Sequence, residues 1–206
     1  ILTKETYKDA SNKHNIRELM MAITKPYRPT GKIVGLAGPD ITDYIEWCKS
    51  YGYTDIDVYE MNFQVMLHQL QTFGATYPIN LHYSDISQAP YKPGVFYDLD
   101  FCASVRYLGE AISKFRKSFM MTFSTRIGVT ETISKFMTYR GDDMYTYSTH
   151  EDEAYTYNII DGMTGSYFMV RYRDTSAMCT ICDIPDHLSM NLYERRSEEH
   201  TSELQS

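Results

Sequence analysis

The sequence predicts an α/β protein: a three-layer α/β/α sandwich whose mostly parallel, seven-stranded sheet ends in an antiparallel β-hairpin. Three observations predict it. Short apolar runs alternate with stretches of helical period about five times along the chain. The apolar runs lack polar alternation, as strands covered on both faces do. After residue 150 the helical stretches stop, and two strand-like runs flank the turn "GMTG" (162–165).

The elements follow in order. Residues 4–23 read as a helix with Ile16, Leu19, Met20 and Ile23 on one face. "KPYRPTG" (25–31) breaks it, and "KIVGLAG" (32–38) is the first strand. "PDITDYIEWCKSYG" (39–52) is a helix stopped by Gly52, and "DIDVYE" (55–60) is a second strand. "MNFQVMLHQLQTFG" (61–74) is a helix with Phe63, Met66, Leu67 and Leu70 turned inward. "INLHYSD" (79–85) and "GVFYDLD" (94–100) are strands joined by a loop holding Pro90 and Pro93. "ASVRYLGEAISKFRK" (103–117) is a helix, "SFMMTFSTR" (118–126) a strand and "ETISKFMTYR" (131–140) a helix. "AYTYNIID" (154–161) and "SYFMVRYRD" (166–174) form the closing hairpin. The tyrosine-rich "MYTYSTHEDEAYTY" (144–157) fits a half-buried strand better than a base-stacking surface.

At 206 residues, 43% hydrophobic and 23% charged, the chain suits one globular domain with a sizeable core. No run of about 18 apolar residues is present. Four cysteines in a chain this long make no disulfide framework, so a reducing cytosol is expected. Ile1 in place of a methionine, and a final "RSEEHTSELQS" (196–206) similar to a translated sequencing adapter, point to an environmental-sequence fragment whose native residues stop near Arg195. That tail carries one arginine and three glutamates, so without it the net charge is −5 rather than −7. The expected organisation is a helical basic arm (1–29), the main domain (30–175), a C-terminal tail (176–195) and the non-native end. Residues 1–33 hold seven basic side chains, Lys4, Lys8, Lys13, Arg17, Lys25, Arg28 and Lys32, against Glu5, Asp9 and Glu18. Such an arm is either a phosphate contact or a solvated helix face.

In an open α/β sheet a ligand sits at the carboxyl ends of the strands, where the strand order reverses. The residues after the first four strands therefore matter most. "GLAGPD" (35–40) follows the first; its small residues let the backbone approach a ligand, and the next helix aims free N–H groups there. An ordinary tight turn would look the same. Glu60 ends the second strand, placed to accept two hydrogen bonds from a ribose diol or to favour the next helix N-terminus. Asp85 ends the third strand and suits an adenine amino group or a turn cap. "FYDLDF" ends the fourth, with Asp98 and Asp100 expected on opposite sides of the sheet. Arg126, at the tip of the fifth, is either a substrate contact or a surface residue. Cys179-x-x-Cys182 with His187 is half a zinc site or, more simply, two thiols in a strand or tail, and no metal is expected.

These motifs, over about residues 30–175, resemble class I, Rossmann-like S-adenosylmethionine (SAM)-dependent methyltransferases. "KIVGLAGPD" looks like their first motif, "DIDVYEM" their second, "HYSDI" their third and "VFYDLDF" their fourth. The resemblance implies SAM as cofactor, with Gly35, Ala37, Gly38 and Asp40 around its methionine portion, Glu60 on the ribose and Met61 against the adenine. Asp85 and Ile86 would meet the adenine edge. Asp98 would lean toward the methionine end or anchor the first loop, and Asp100 would be the catalytic residue. The chain departs from the family where Gly35 replaces a frequent acid and where Ala37 and Pro39 replace glycines. "DLDF" is similar to part of the "DLDPFG" of tRNA guanine-N2 methyltransferases, which with the basic arm favours an RNA or DNA acceptor over protein or a small molecule. A silent SAM- or nucleotide-binding module and an NAD-dependent oxidoreductase are the rival readings. The closing hairpin argues against the latter, since a dinucleotide fold continues with a parallel sixth strand.

Overall fold

A computed structural model describes residues 10–75, 79–124, 126–172 and 178–184. Five strands alternate with helices: β1 (Gly31–Gly35), β2 (Tyr53–Glu60), β3 (Ile79–Tyr83), β4 (Phe96–Ser104) and β5 (Phe119–Ser124). Four more follow: β6 (Tyr145–Glu151), β7 (Tyr155–Gly162), β8 (Ser166–Tyr172) and β9 (Met178–Ile184). The helices are α1 (Ala10–Thr24), α2 (Thr42–Tyr51), α3 (Phe63–Phe73), α4 (Gly109–Lys114) and α5 (Val129–Tyr139). All nine strands form one sheet in the order β3-β2-β1-β4-β5-β9-β8-β7-β6. Strands β1 to β5 pair in parallel, and every pairing from β5 onward is antiparallel.

The α/β class, the parallel half and the β7–β8 hairpin agree with the sequence. The strand count does not: among the described residues the sheet has nine strands, not seven. One addition is β6, within the tyrosine-rich stretch. The other is β9, which lies in the segment expected to be a tail and inserts between β5 and β8. Apolar on both faces, β9 gives no alternating signal, and its polar side chains are matched internally. Thr180 shares a 2.9 Å hydrogen bond with Thr122, and Asp183 accepts the Ser118 and Phe119 amides at 2.7 and 2.9 Å. Cys179 and Cys182 are free, buried thiols of this strand, and burial pushes both upward in pKa. His187 and residues 196–206 lie outside the described residues.

Two apolar layers flank the sheet. On one face α4 and α5 bring Ile112, Phe115, Ile133 and Phe136 onto Tyr97, Leu99, Phe119 and Met121. On the other, α1 and α2 bring Leu19, Met20, Tyr44 and Trp47 onto Ile33, Phe96, Met120 and Phe168. Each such side chain, fully buried, contributes roughly 1.5–3 kcal/mol. The N-terminal helix is thus part of the core. Several basic side chains of the N-terminal stretch, in this helix and after it, turn inward or onto neighbours. Lys13 pairs with Asp100, Arg17 with Asp98, and Lys32 reaches Asp57 at 2.7 Å. Arg28 donates to Tyr53 Oη and Thr24 Oγ1, both at 3.0 Å. Lys4 and Lys8 lie outside the described residues.

Helix ends follow local chemistry. Gly52 (φ +76°) closes α2 in the left-handed region. Asn62 opens α3, its side chain accepting from the Gln64 and Val65 amides. The inward face of α3 differs from expectation: Phe63 and Leu70 are exposed, and Gln69 is the buried residue. No full helix joins β3 to β4; a single 3-10 turn, Ile86–Gln88, does. Beyond β4 the expected long helix shortens to α4, because the strand runs on to Ser104 past a register shift between Asp100 and Ser104.

Asp142 joins the end of α5 to the β7–β8 turn by accepting the Met144 amide at 3.1 Å and the Thr164 amide at 2.8 Å. Burial works to raise its pKa, but these backbone donors outweigh it and the carboxyl is lowered. A carboxyl lowered by folding stabilises the native state above its unfolded value of about 3.9, and that contribution disappears as pH falls through the lower folded value. Between pH 5 and 3 (roughly the span around that value) the wild-type melting temperature is therefore expected to fall more steeply than that of Asp142→Asn. Thermal melts of the two proteins across that range check this; equal slopes would assign Asp142 no role.

Candidate active site

The strand order reverses between β1 and β4, so the crevice at the carboxyl ends of these strands is where a ligand is expected. Register aligns the contributors along one edge. Gly35 pairs with Val58 on one side and Asp98 on the other, and Glu60 pairs with Tyr83.

The loop after β1 is held from both sides. Its Leu36 amide donates to the Asp98 carbonyl at 3.0 Å, and Gln69 Nε2 donates to the Gly38 carbonyl at 2.5 Å. Gly38 (φ +68°) supplies a left-handed turn with open space around its Cα. Gly35 is small for another reason: a Cβ there would fall on the Tyr44 hydroxyl and 2.5 Å from the Asp98 carbonyl oxygen. The space beside Gly35 therefore belongs to the protein. Ala37 is half-buried and Asp40 exposed. Asp40 Oδ1 accepts the Thr42 amide at 2.9 Å at the start of α2.

Glu60, half-buried at the tip of β2, accepts the Asn62 amide through Oε1 at 2.7 Å. Met61 beside it is 64% exposed, and Tyr83 at the tip of β3 is 61% exposed. Phe63 and Tyr83 meet edge to face, with ring centroids 5.8 Å apart. Asp85 accepts the Ser87 amide at 2.8 Å and so opens the 3-10 turn. Ile86 is buried among core residues that include Tyr59 and Ala89.

Asp98 and Asp100 share one side of the sheet, because residues two apart in a strand face the same way. Arg17, from α1, reaches both. Its Nη1 and Nη2 donate to Asp98 at 3.0 and 2.5 Å, and Nη1 lies 3.6 Å from Asp100 Oδ2. Tyr44 donates to Asp98 at 2.6 Å. Burial alone would lower the Arg17 pKa, but Asp98, Asp100 and Tyr44 raise it above its ordinary range. Asp98 itself is raised by burial, with Arg17 drawing it back. Asp98 is fully buried and held by Arg17 and Tyr44, and its carbonyl accepts the Leu36 amide of the β1 loop. Asp100 pairs with Lys13 through Oδ2, while its buried Oδ1 has no hydrogen-bond partner among the described residues. Arg126 is exposed beyond β5.

The sequence missed the Arg17–Asp98–Tyr44 cluster, Gln69, Phe63 and Tyr83. Tyr83 carried a signal: it is a large aromatic two residues before Asp85, the acid of the third motif. Arg17 stands 81 residues from Asp98 and carried none. The described residues also place His14, Glu18 and Asp43 within ligand distance of one another. His14 already pairs with Asp43 at 2.8 Å, and Glu18 accepts from Trp47 at 2.6 Å.

No protein-family model matches the chain, and no curated protein matches it by sequence. Solved structures with a similar arrangement include a SAM-dependent O-methyltransferase from Thermotoga maritima, at 11% identity and a TM-score of 0.48, with 82% of this chain and 64% of that one covered. A SAM-dependent methyltransferase from Leishmania major aligns at 9% identity and a TM-score of 0.48, covering 82% of this chain and 73% of that one. One from Clostridium acetobutylicum aligns at 8% identity and 0.42, covering 92% and 83%. At these identities and scores the likeness carries neither cofactor nor acceptor over to this chain.

Proposed function

We propose that the chain binds SAM at the β1–β4 switch point and transfers its methyl group to an acceptor. The observation that carries the reading is the pairing of a polar and an apolar surface at one edge. The Glu60 carboxylate ends β2, the strand paired with β1, and exposed Met61 and Tyr83 stand next to it. A nucleoside needs both, a carboxylate for the ribose diol and an apolar surface for the base. Ala37, Gly38 and Asp40 then border the methionine portion, Met61 packs on the adenine, and Asp85 with Ile86 faces its edge. Phe63 and Tyr83 widen the apolar surface.

Bound SAM supplies a methyl already activated on its sulfonium. The protein's part is alignment, worth several kcal/mol of barrier when the reacting atoms are held in line. Asp100 orients the acceptor nucleophile or takes its proton. For that, Lys13 must release Oδ2 or the acceptor must use Oδ1, the oxygen without a partner.

Lys13, Arg17, Arg28 and Lys32 are engaged within the fold, so among the described residues the basic stretch offers a nucleic-acid acceptor little, and that acceptor rests mainly on the "DLDF" likeness. Comparing tRNA, DNA and peptide in one methyl-transfer assay separates the acceptors. A second reading, SAM binding without turnover, is favoured by the hold of Lys13 and Arg17 on Asp100. The antiparallel β9 beside β5 counts against a dinucleotide oxidoreductase.

Calorimetric titration with SAM tests the proposal. Glu60→Ala is expected to weaken binding ten-fold or more, about 1.4 kcal/mol. Unchanged affinity in the variant would remove Glu60 from the site.

A further inference from the structure

The described residues also line a cavity of about 450 Å³ that is open to solvent, a volume suited to a small ligand. Tyr27, Ser118 and Ser166 line it, and they lie just before β1, just before β5 and at the start of β8. The cavity therefore opens at the amino-terminal edge of the parallel strands. A strand length, roughly 17–20 Å, separates it from the crevice described above, and the two share none of the residues assigned to either.

Its charge is lopsided. Arg116, Lys117 and Arg140 line it, and Asp183 is the one carboxylate among its lining residues. Both Asp183 oxygens accept backbone amides, from Ser118 and Phe119. Among the described residues no carboxylate lies within ion-pair distance of Arg116, Lys117 or Arg140. Arg140 is buried, with Nε on the Tyr167 hydroxyl at 2.9 Å, Nη1 on the Ile112 and Phe115 carbonyls, each at 3.0 Å, and Nη2 on the Arg116 carbonyl. Those oxygens satisfy its hydrogen bonds, and Asp183, whose carboxyl burial raises in pKa and Arg140 draws downward, is the one carboxylate set against the three cations of the lining.

The backbone adds an independent mark. Ser118 has φ +57°, the one positive value at a non-glycine among the described residues, and it sits in the cavity wall between the free cations and Asp183. Strained backbone of this kind collects at ligand sites. The paired Asp183 contacts hold the Ser118–Phe119 segment in place and leave the Arg116 and Lys117 side chains at the cavity rim.

We infer that this cavity is a second binding site, for a small phosphate-bearing ligand whose phosphate is held by Arg116 and Lys117 above the buried Arg140. Adjacent cations with hydroxyl groups beside them match a phosphate dianion. Tyr27 gives the cavity an aromatic wall for the remainder of the ligand.

Calorimetric titration of the full chain with inorganic pyrophosphate in chloride buffer tests the site. One-site binding is expected, weakened at least ten-fold in Arg116→Ser/Lys117→Ser, with the melting temperature of the variant checked to confirm folding. Both changes are on exposed side chains, so the fold is expected to tolerate them. Glu60→Ala is expected to bind pyrophosphate as the wild type does, which keeps this site apart from the SAM reading. Absence of binding up to about 10 mM would overturn the inference. So would equal affinity in the folded double variant, or a loss of affinity in Glu60→Ala instead.

Discussion

Replacing Arg17 with methionine is expected to destabilise the protein by about 3–5 kcal/mol, the cost of leaving a buried charge without its partner. Asp98 is fully buried, and Arg17 supplies the only cation that hydrogen-bonds to it among the described residues. With Arg17 gone, the Tyr44 hydroxyl alone faces that carboxylate. Arg17 also lies over the Trp47 ring at 4.9 Å and approaches Asp43 at 3.5 Å, so the substitution loosens α1 from α2 as well. Neutralising the stranded acid should return part of the loss. The double variant Arg17→Met/Asp98→Asn is expected to be more stable than the sum of its single changes by about 1–3 kcal/mol. Urea unfolding of the four proteins measures this. Additive losses would mean that the two side chains do not act as a pair.

Gly35→Ala is expected to cost about 1–3 kcal/mol by overpacking. The new methyl would meet the Tyr44 hydroxyl and the Asp98 carbonyl, and the latter is backbone in the middle of the sheet. Adding Tyr44→Phe removes the hydroxyl but not the carbonyl contact, so it should restore only part of the loss. Full restoration would locate the whole conflict at the hydroxyl, and no loss at all would show that the β1 end has room to spare. The argument for a glycine here is space alone, since its φ is not in the left-handed region.

The parallel half of the fold was legible because buried parallel strands are apolar runs and their connecting helices carry a different period. The edge that would hold a ligand followed from strand order, so Glu60 could be placed at the tip of β2 and Asp85 just past β3, whereas Asp100 lies inside β4, which runs on to Ser104. Their partners could not be placed. Arg17 reads as one cation of a basic stretch, and only the packing of α1 over β4 turns it onto Asp98. Gln69 reads as a polar residue on the outer face of α3, yet it is buried because it satisfies the Gly38 carbonyl. Asp98, expected either to lean toward the methionine end or to anchor the first loop, is buried against the non-local partners Arg17 and Tyr44, which the sequence did not reveal. β9 was missed because seven mostly apolar residues, with Thr180 and Asp183 bonded inside the sheet, carry no pattern that separates a strand from a tail.

The central claim is that SAM lies at the carboxyl edge of β1 and β2. Amide hydrogen exchange with and without saturating SAM tests it most directly. The account predicts slowed exchange in residues 36–42 and 60–65, around the β1 loop and the turn after Glu60, with the β6–β7 segment unchanged. Slowing confined to the opposite edge, at residues 116–119 and 163–167, would contradict it, as would no change anywhere in a folded protein.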